Sequence, residues 1–223
     1  GCQVDVPRAQ TCCGQPAFNS GDDAGTKALA KQIIQAFEPY DYVVVPSGSC
    51  ASMIRSHYNE LFLGDAEWEP RQRAVSAKTW EILSFLADVM EYRPNGVCYE
   101  GNATYHDSCS GLRDLGVYDQ PRALLSKVDG LRLTQLEGND ECCGFGGTFC
   151  VKYPDISNAI VEEKANKIKA TKADTLLGGD LGCLMNMAGK LNRGGSEVKA
   201  FHTIEVLASM AEGPAICKRE DIG

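Results

Sequence analysis

Eleven cysteines stand among 223 residues, and four of them form two vicinal pairs, Cys12-Cys13 and Cys142-Cys143, each followed by glycine. Consecutive Cα atoms lie about 3.8 Å apart, short of the roughly 4.4–6.8 Å of an unstrained disulfide. In an extended strand the two side chains would also point to opposite faces. Aiming both sulfurs at one object takes a kink, and Gly14 and Gly144 supply the backbone freedom for it. A group of several metal atoms is large enough to accept both sulfurs. The loop amides of Gly144, Gly146 and Gly147 suit hydrogen bonding to its sulfides, which tunes potential. The pairs therefore read as metal-cluster ligation.

Single cysteines complete the pattern. Between Cys13 and Cys50 there are 36 residues, and between Cys143 and Cys183 there are 39. The second set adds Cys109, which precedes Cys142 and gives the ligands Cys109, Cys142, Cys143 and Cys183. Cys109 and Cys183 fall just past expected strands at the heads of helices, where free amides and the helix dipole favour thiolate. Four thiolates without a fixed histidine are the normal ligand set of an iron–sulfur cluster. The first set holds Cys12, Cys13 and Cys50.

Zinc also takes four thiolates, but its structural sites usually use a Cys-x-x-Cys knuckle, which this chain lacks. Cys2 aligns with Leu131 on an equivalent strand and reads as a small core residue. Cys98 and Cys217 read as incidental, and Cys150 as a bystander whose counterpart is Ser20 or a neighbour. His106 is a candidate for tuning the site or carrying a proton, with a packed, hydrogen-bonded histidine as the alternative. His57 and His202 have no evident partners. No catalytic residue is identified, and neither a P-loop nor a dinucleotide fingerprint is present.

The elements that must position these cysteines follow from periodicity. Cys2 to Val6 alternates like a short strand, and Asp22 or Asp23 can cap a helix through Phe37. Tyr42 to Val45 is a continuous apolar run, the signature of a strand buried on both faces. Helices are expected over Met53 to Leu61 and Glu69 to Tyr92. In the second half, strands are expected at Ala103–His106, Leu131–Leu136, Thr175–Leu177 and Val198–Phe201. Helices are expected near Arg122–Lys127, Ile156–Ala170 and Leu184–Leu191. Both halves share the order strand, Cys-Cys-Gly, helix, apolar strand, glycine turn, cysteine, helix. Glu81-Ile-Leu-Ser-Phe-Leu86 even echoes Thr203-Ile-Glu-Val-Leu207. This is an internal duplication: an α/β protein of two pseudo-symmetric repeats, each a small parallel sheet flanked by helices, divided as 1–95 and 96–223. The chain opens on Gly1-Cys2 without methionine, so the first repeat is expected to lack its N-terminal part. By symmetry the counterpart of Cys109 should lie about 33 residues before Cys12, roughly 20 ahead of Gly1.

A net charge of −8 and a pI near 5.0 argue against nucleic acid as a partner. No apolar run approaches the length of about 20 residues that spans a bilayer. With no secretory signal and an odd cysteine count, a metal or redox role in a reducing compartment is favoured over a disulfide framework.

Cys12-Cys-Gly-Gln-Pro-Ala17, Tyr105-His-Asp-Ser-Cys109 and Cys142-Cys-Gly-Phe-Gly-Gly-Thr148 resemble the motifs of the cysteine-rich CCG-domain family. Its members include iron–sulfur subunits of L-lactate- and glycolate-oxidising complexes and the cysteine-rich subunit of heterodisulfide reductase. The resemblance covers nearly the whole chain. It implies one 4Fe-4S cluster per complete repeat and electron transfer from oxidation of L-lactate or a related 2-hydroxy acid. It further implies a ferredoxin-like iron–sulfur subunit and another subunit as partners, and a cytoplasmic place with peripheral attachment to the inner membrane as an option. A thiol–disulfide reductase of the heterodisulfide type and a zinc-bound structural module are the alternatives. Met53 and Asn186 stand where the heterodisulfide reductase pattern has its last cysteines, which counts against that enzyme's non-cubane clusters. The glycolate oxidase subunit carries a ferredoxin segment ahead of its repeats, and residues 1–223 contain none.

Overall fold

The computed structural model describes residues 1–218. Two parallel sheets form, both flanked by helices, as the duplicated α/β pattern predicts. The first has two strands, β1 (Val43–Val45) and β2 (Thr79–Glu81), paired Val43 to Thr79 and Val45 to Glu81. The second has four: β3 (Cys98–His106), β4 (Asp129–Thr134), β5 (Thr175–Gly178) and β6 (Lys199–His202). Their order is β4-β3-β5-β6. Every residue of β5 is buried, as an interior strand covered by helices must be. Its register sets His106 beside Gly178 and Gly178 beside His202, so the strands end level at one rim.

Helices cover the sheets through apolar stripes. Asp23–Phe37 is capped by Asp22, whose carboxylate accepts from the Gly25 amide at 2.9 Å, and it buries Ala30, Ile33 and Ile34. Pro154–Ala170 starts on a proline and buries Val161, Ala165 and Ile168. Leu181–Arg193 buries Leu184, Met187, Ala188 and Leu191 against the same side of the sheet. The opposite face packs on Leu83, Leu124, Leu125, Val206 and Leu207. No helix among the described residues is long and apolar enough to cross a membrane.

The sequence expectations need correction in the first half. Cys2 to Val6 forms no strand and is exposed, so Cys2 is not a core residue. Its counterpart β4 pairs only with β3, and no strand among the described residues takes β3's place beside β1. The same lack of neighbours leaves Val44 and Tyr42 exposed, so the apolar run is not covered on both faces. The long helix expected from Glu69 is instead Trp68–Ala77, then β2, then a short helical run over 82–89. Three residues of strand are too few to interrupt a helical periodicity visibly.

Equivalent positions of the two halves meet one another where the halves join, as residues near a two-fold axis do. Ser47 and Asp180, three residues before Cys50 and Cys183, are hydrogen-bonded, Ser47 Oγ donating to Asp180 Oδ2 at 3.0 Å. The Gly48 amide donates to the Gly179 carbonyl at 3.1 Å. Helix Gly48–Ser52 crosses helix Cys109–Arg113 so closely that a Cβ on Gly48 would stand 2.7 Å from Ser108 Oγ and 3.1 Å from the Gly111 Cα. The helix carrying Cys50 thus lies against the helix that begins at Cys109.

Candidate metal centre

In the second half, four cysteines converge at the C-terminal rim of the parallel sheet, the rim where such sheets place ligands. Cys109 opens its helix directly after β3, with Ser108 as cap accepting from the Gly111 amide at 3.2 Å. Cys142 and Cys143 lie in the loop after β4, and Cys183 sits in the first turn of Leu181–Arg193. Their sulfurs form a chain of contacts, Cys109 to Cys142, Cys142 to Cys143 and Cys143 to Cys183. Gly144 adopts φ 83°, and a Cβ there would come within 2.7 Å of the Ser157 carbonyl, so the turn admits only glycine. Its amide donates to Cys142 Sγ at 3.3 Å.

Several long-range contacts hold this rim. Asp107 is buried and takes a bidentate grip from Arg122 at 2.9 and 2.7 Å. It also accepts from Asn139 Nδ2, while its own amide donates to the Asn139 carbonyl. The loop leading to Cys109 is thereby tied to the loop leading to Cys142. Asn186 Nδ2 holds the Cys143 carbonyl at 2.9 Å. Asp180 caps the Cys183 helix, accepting from the Cys183 amide at 3.3 Å, while its other oxygen takes the Ser49 amide at 2.8 Å.

The electrostatics favour neutral thiols in this arrangement. Hydrogen bonding to Cys142 and then burial push the Cys109 thiol well up. Contact with Cys142 pulls Cys143 down, but its contact with Cys183 and burial outweigh that and raise it. Cys183 is lowered by Cys143 yet raised overall by burial and the nearby Asp180 carboxylate. A metal binding here would have to displace these protons. The buried Lys164 donates to the Gly138 carbonyl; burial, with Lys167 adding to it, pulls its ammonium down, against Glu141, Cys143 and Asp140.

The first half repeats the frame with fewer members. Cys12 is exposed and Cys13 buried, as Cys142 and Cys143 are, and Gly14 has φ 84°. Cys13 and Cys50 share a hydrogen bond that raises Cys13 and, with help from Ser47 and Ser49 and against burial, lowers Cys50 to about 7. Tyr58 Oη donates to the Cys13 carbonyl at 2.8 Å, the task Asn186 performs in the second half.

The remaining sequence candidates are placed as follows. Cys98 and Cys217 are exposed, and Cys2 meets Met90 at 3.5 Å. Cys150 Sγ donates to the Gly147 carbonyl at 3.2 Å. Gly146 and Gly147 have φ 53° and 61°, next to Thr148, which meets Ser20 of the first half at 3.2 Å. His57 has partners after all: Asp114 at 3.7 Å and the ring of Phe18. His202 caps the helix Thr203–Leu207 in a reciprocal arrangement with Glu205. His106 is buried, with a ring nitrogen within 4.8 Å of the Cys143 and Cys183 sulfurs. Burial and then Lys164 push its imidazole down to about 3, against Asp180 and the Asn139 carbonyl, so the ring is neutral. Asp107, Lys164 and Asp180 were not singled out in the sequence. Only Asp180 left a local sign there, an aspartate three residues before a cysteine at a helix start.

The donors suit a thiolate-bound metal group: four adjacent thiols, an amide already aimed at one of them, and a buried imidazole alongside. Comparison with known proteins gives the family. The family model for the CCG cysteine-rich domain matches residues 1–55 and 103–188, one segment in each half. A lactate utilization protein A from Oceanobacillus iheyensis is 47% identical over 213 residues, 96% of this chain and 87% of that one. Another from Geobacillus sp. (strain WCH70) is 49% identical over 209 residues, 94% of this chain and 87% of the relative. A lactate utilization protein A 2 from Bacillus cereus (strain 03BB102) is 45% identical over 208 residues, 93% and 86% of the two chains. The chain belongs to the cysteine-rich CCG-domain family, with these lactate utilization proteins A as its relatives there.

Proposed function

We propose that this protein is an iron–sulfur electron-transfer subunit of a complex that oxidises L-lactate, or a related 2-hydroxy acid, to the 2-oxo acid. The observation that carries the reading is the convergence of Cys109, Cys142, Cys143 and Cys183 on one rim of the sheet. Similarity to proteins named for lactate utilization supplies the substrate class. The four thiolates would hold a 4Fe-4S cluster, and Cys12, Cys13 and Cys50 would form the corresponding part of a first site. When bound, such a cluster supplies one-electron storage and transfer. The chain's own residues provide the rest. Asp107 and Asn139 keep the Cys109 and Cys142 loops in register, Gly144 donates to Cys142, and Lys164 offsets negative charge at the rim. The chain carries no flavin or nicotinamide fingerprint, so substrate oxidation falls to partners. Those partners are a ferredoxin-like iron–sulfur subunit and a further subunit of the same complex, working in the cytoplasm or at the inner face of the membrane.

Anaerobic reconstitution followed by iron, sulfide and zinc analysis is the direct test. Iron and sulfide in equal amounts, with lactate oxidation only when partners are added, is the expected result. Stoichiometric zinc without sulfide would show a structural module instead. Reduction of disulfide substrates without lactate activity would place the chain with the heterodisulfide reductases.

A further inference from the structure

His106 lies at the end of β3, the strand to which both β4 and β5 pair, and is 1% exposed. Neither ring nitrogen has a hydrogen-bond partner. An unpartnered buried polar atom costs about 1–3 kcal/mol, so two on one ring call for an explanation. The main chain that carries the ring is held on both sides. Its own backbone is registered against Gly178, and the next amide, of Asp107, is bonded to the Asn139 carbonyl at 3.1 Å. The Asn139 carbonyl, which accepts from the Asp107 amide, does not meet the ring in hydrogen-bond geometry. What remains within reach is sulfur: Cys143 and Cys183, within 4.8 Å.

A neutral imidazole has one N–H to give and one lone pair. Four thiolates already fill the protein ligand positions of a cubane, which leaves the imidazole outside the ligand set. A sulfur carrying metal-bound negative charge is a far better acceptor than the neutral thiols now in place. We infer that His106 donates its ring N–H to a sulfur of the metal group held by Cys143 and Cys183, and thereby sets its reduction potential. The inference rests on the cluster reading above and adds to it a residue that acts through sulfur, not through iron. Donation stabilises the reduced, more negative state and so raises the potential.

The test uses the reconstituted whole chain with isotopically labelled histidine nitrogen, studied by redox titration and pulsed electron paramagnetic resonance. The reduced wild type should show a weak nitrogen coupling, as from a hydrogen bond through sulfur. His106→Leu should keep its iron but titrate at a clearly more negative potential, without the coupling. His106→Gln, which retains an N–H donor, should recover part of the shift. If His106→Leu loses iron as well, the Gln variant and the wild-type coupling still decide the matter. Strong nitrogen coupling would make His106 a ligand and overturn the inference. Unchanged potentials in both variants would overturn it while leaving the cluster intact. Failure of the wild type to take up any cluster would overturn both it and the reading beneath it.

Discussion

The two cysteine sites share a frame and differ in what surrounds it. Each has an exposed and a buried vicinal cysteine, a left-handed glycine, and a third cysteine at a helix start. Around the second pair stand a buried lysine, a buried imidazole and an Asp–Arg–Asn tie between loops. The corresponding helix of the first half packs on Gly14 with Thr26 and Leu29, as Ser157 and Ile160 pack on Gly144. One turn further on, Ile33 occupies the place of Lys164. A cation in an apolar interior is costly unless it faces negative charge. The second site is therefore built to receive charge, whereas the first is apolar where the second is ionic. The thiols recur in both halves, whereas the buried charge around them is present in one.

The largest expected difference is in iron. Cys142→Ser or Cys143→Ser should remove most of the iron from the reconstituted chain, because an oxygen ligand holds iron poorly against loss. Cys13→Ser should remove far less, with total iron near one cluster per chain. Equal losses from both pairs, read by iron assay and visible absorbance, would break the comparison. Cys2→Ala and Cys150→Ala should leave iron content unchanged.

Asp107 offers the next effect. Asp107→Asn leaves Arg122 without its buried partner and should cost about 3 kcal/mol in urea unfolding. A loss under about 0.5 kcal/mol would mean that the tie between the Cys109 and Cys142 loops is not a stabilising contact.

Glu81 and His202 then give a comparison of opposite sign. Both end the last strand of their half and cap the helix that follows: Glu81 accepts from Leu83 and Ser84, and His202 from Ile204. Burial pushes the Glu81 carboxyl up to about 7, with Asp180 adding to it. One of its oxygens has no partner, beside a cavity of about 10 Å³ lined with Tyr105 and Asp107. The folded state holds this proton more tightly than the unfolded state. Its stabilising contribution is full below about pH 4.5 and is lost as pH rises through about 7, amounting to about 3 kcal/mol. Burial lowers His202, so its contribution is present above its ordinary value of about 6.5 and is lost as pH falls. Melting profiles from pH 4 to pH 8 (~0.5 steps) should show Glu81→Gln more stable than wild type at high pH only. His202→Asn should be relatively more stable at low pH only. Parallel profiles for the two variants would contradict the opposed burial of these caps.

The smallest effect concerns Lys164. Lys164→Met should speed iron loss to a chelator roughly fivefold, equivalent to about 1 kcal/mol. The first-half counterpart, Ile33→Met, should leave iron loss unchanged. Identical behaviour would remove the electrostatic contrast between the sites.

Much of this was legible in the cysteines and the strands. Thr175 to Leu177 reads as buried because an interior strand covered by helices has no polar face to show. The vicinal pairs signal ligation because adjacent residues cannot bridge each other without strain. What stayed hidden depends on contacts across sequence. Nothing near Asp107 marks Arg122 or Asn139 as its partners, and nothing local marks Lys164 as buried, since its helix also carries Lys167 and Lys169. Cys2 to Val6 has the alternation of a strand, but alternation supplies no neighbour to pair with. β2 escaped notice for a different reason, because Thr79-Trp80-Glu81 fits a helical stripe as well as a short strand.

Ser47 and Asp180 occupy equivalent places and bind each other, one giving a hydroxyl proton and the other a carboxylate. That inequality has a consequence for assembly. Two copies of the first half, docked as the halves dock here, would bring serine to serine and lose the charge-assisted bond. Two copies of the second half would bring carboxylate to carboxylate in a buried place, and one would have to take up a proton. Only the unlike pairing satisfies both. Expressed as separate pieces cut near Pro94, the halves should therefore choose each other over themselves.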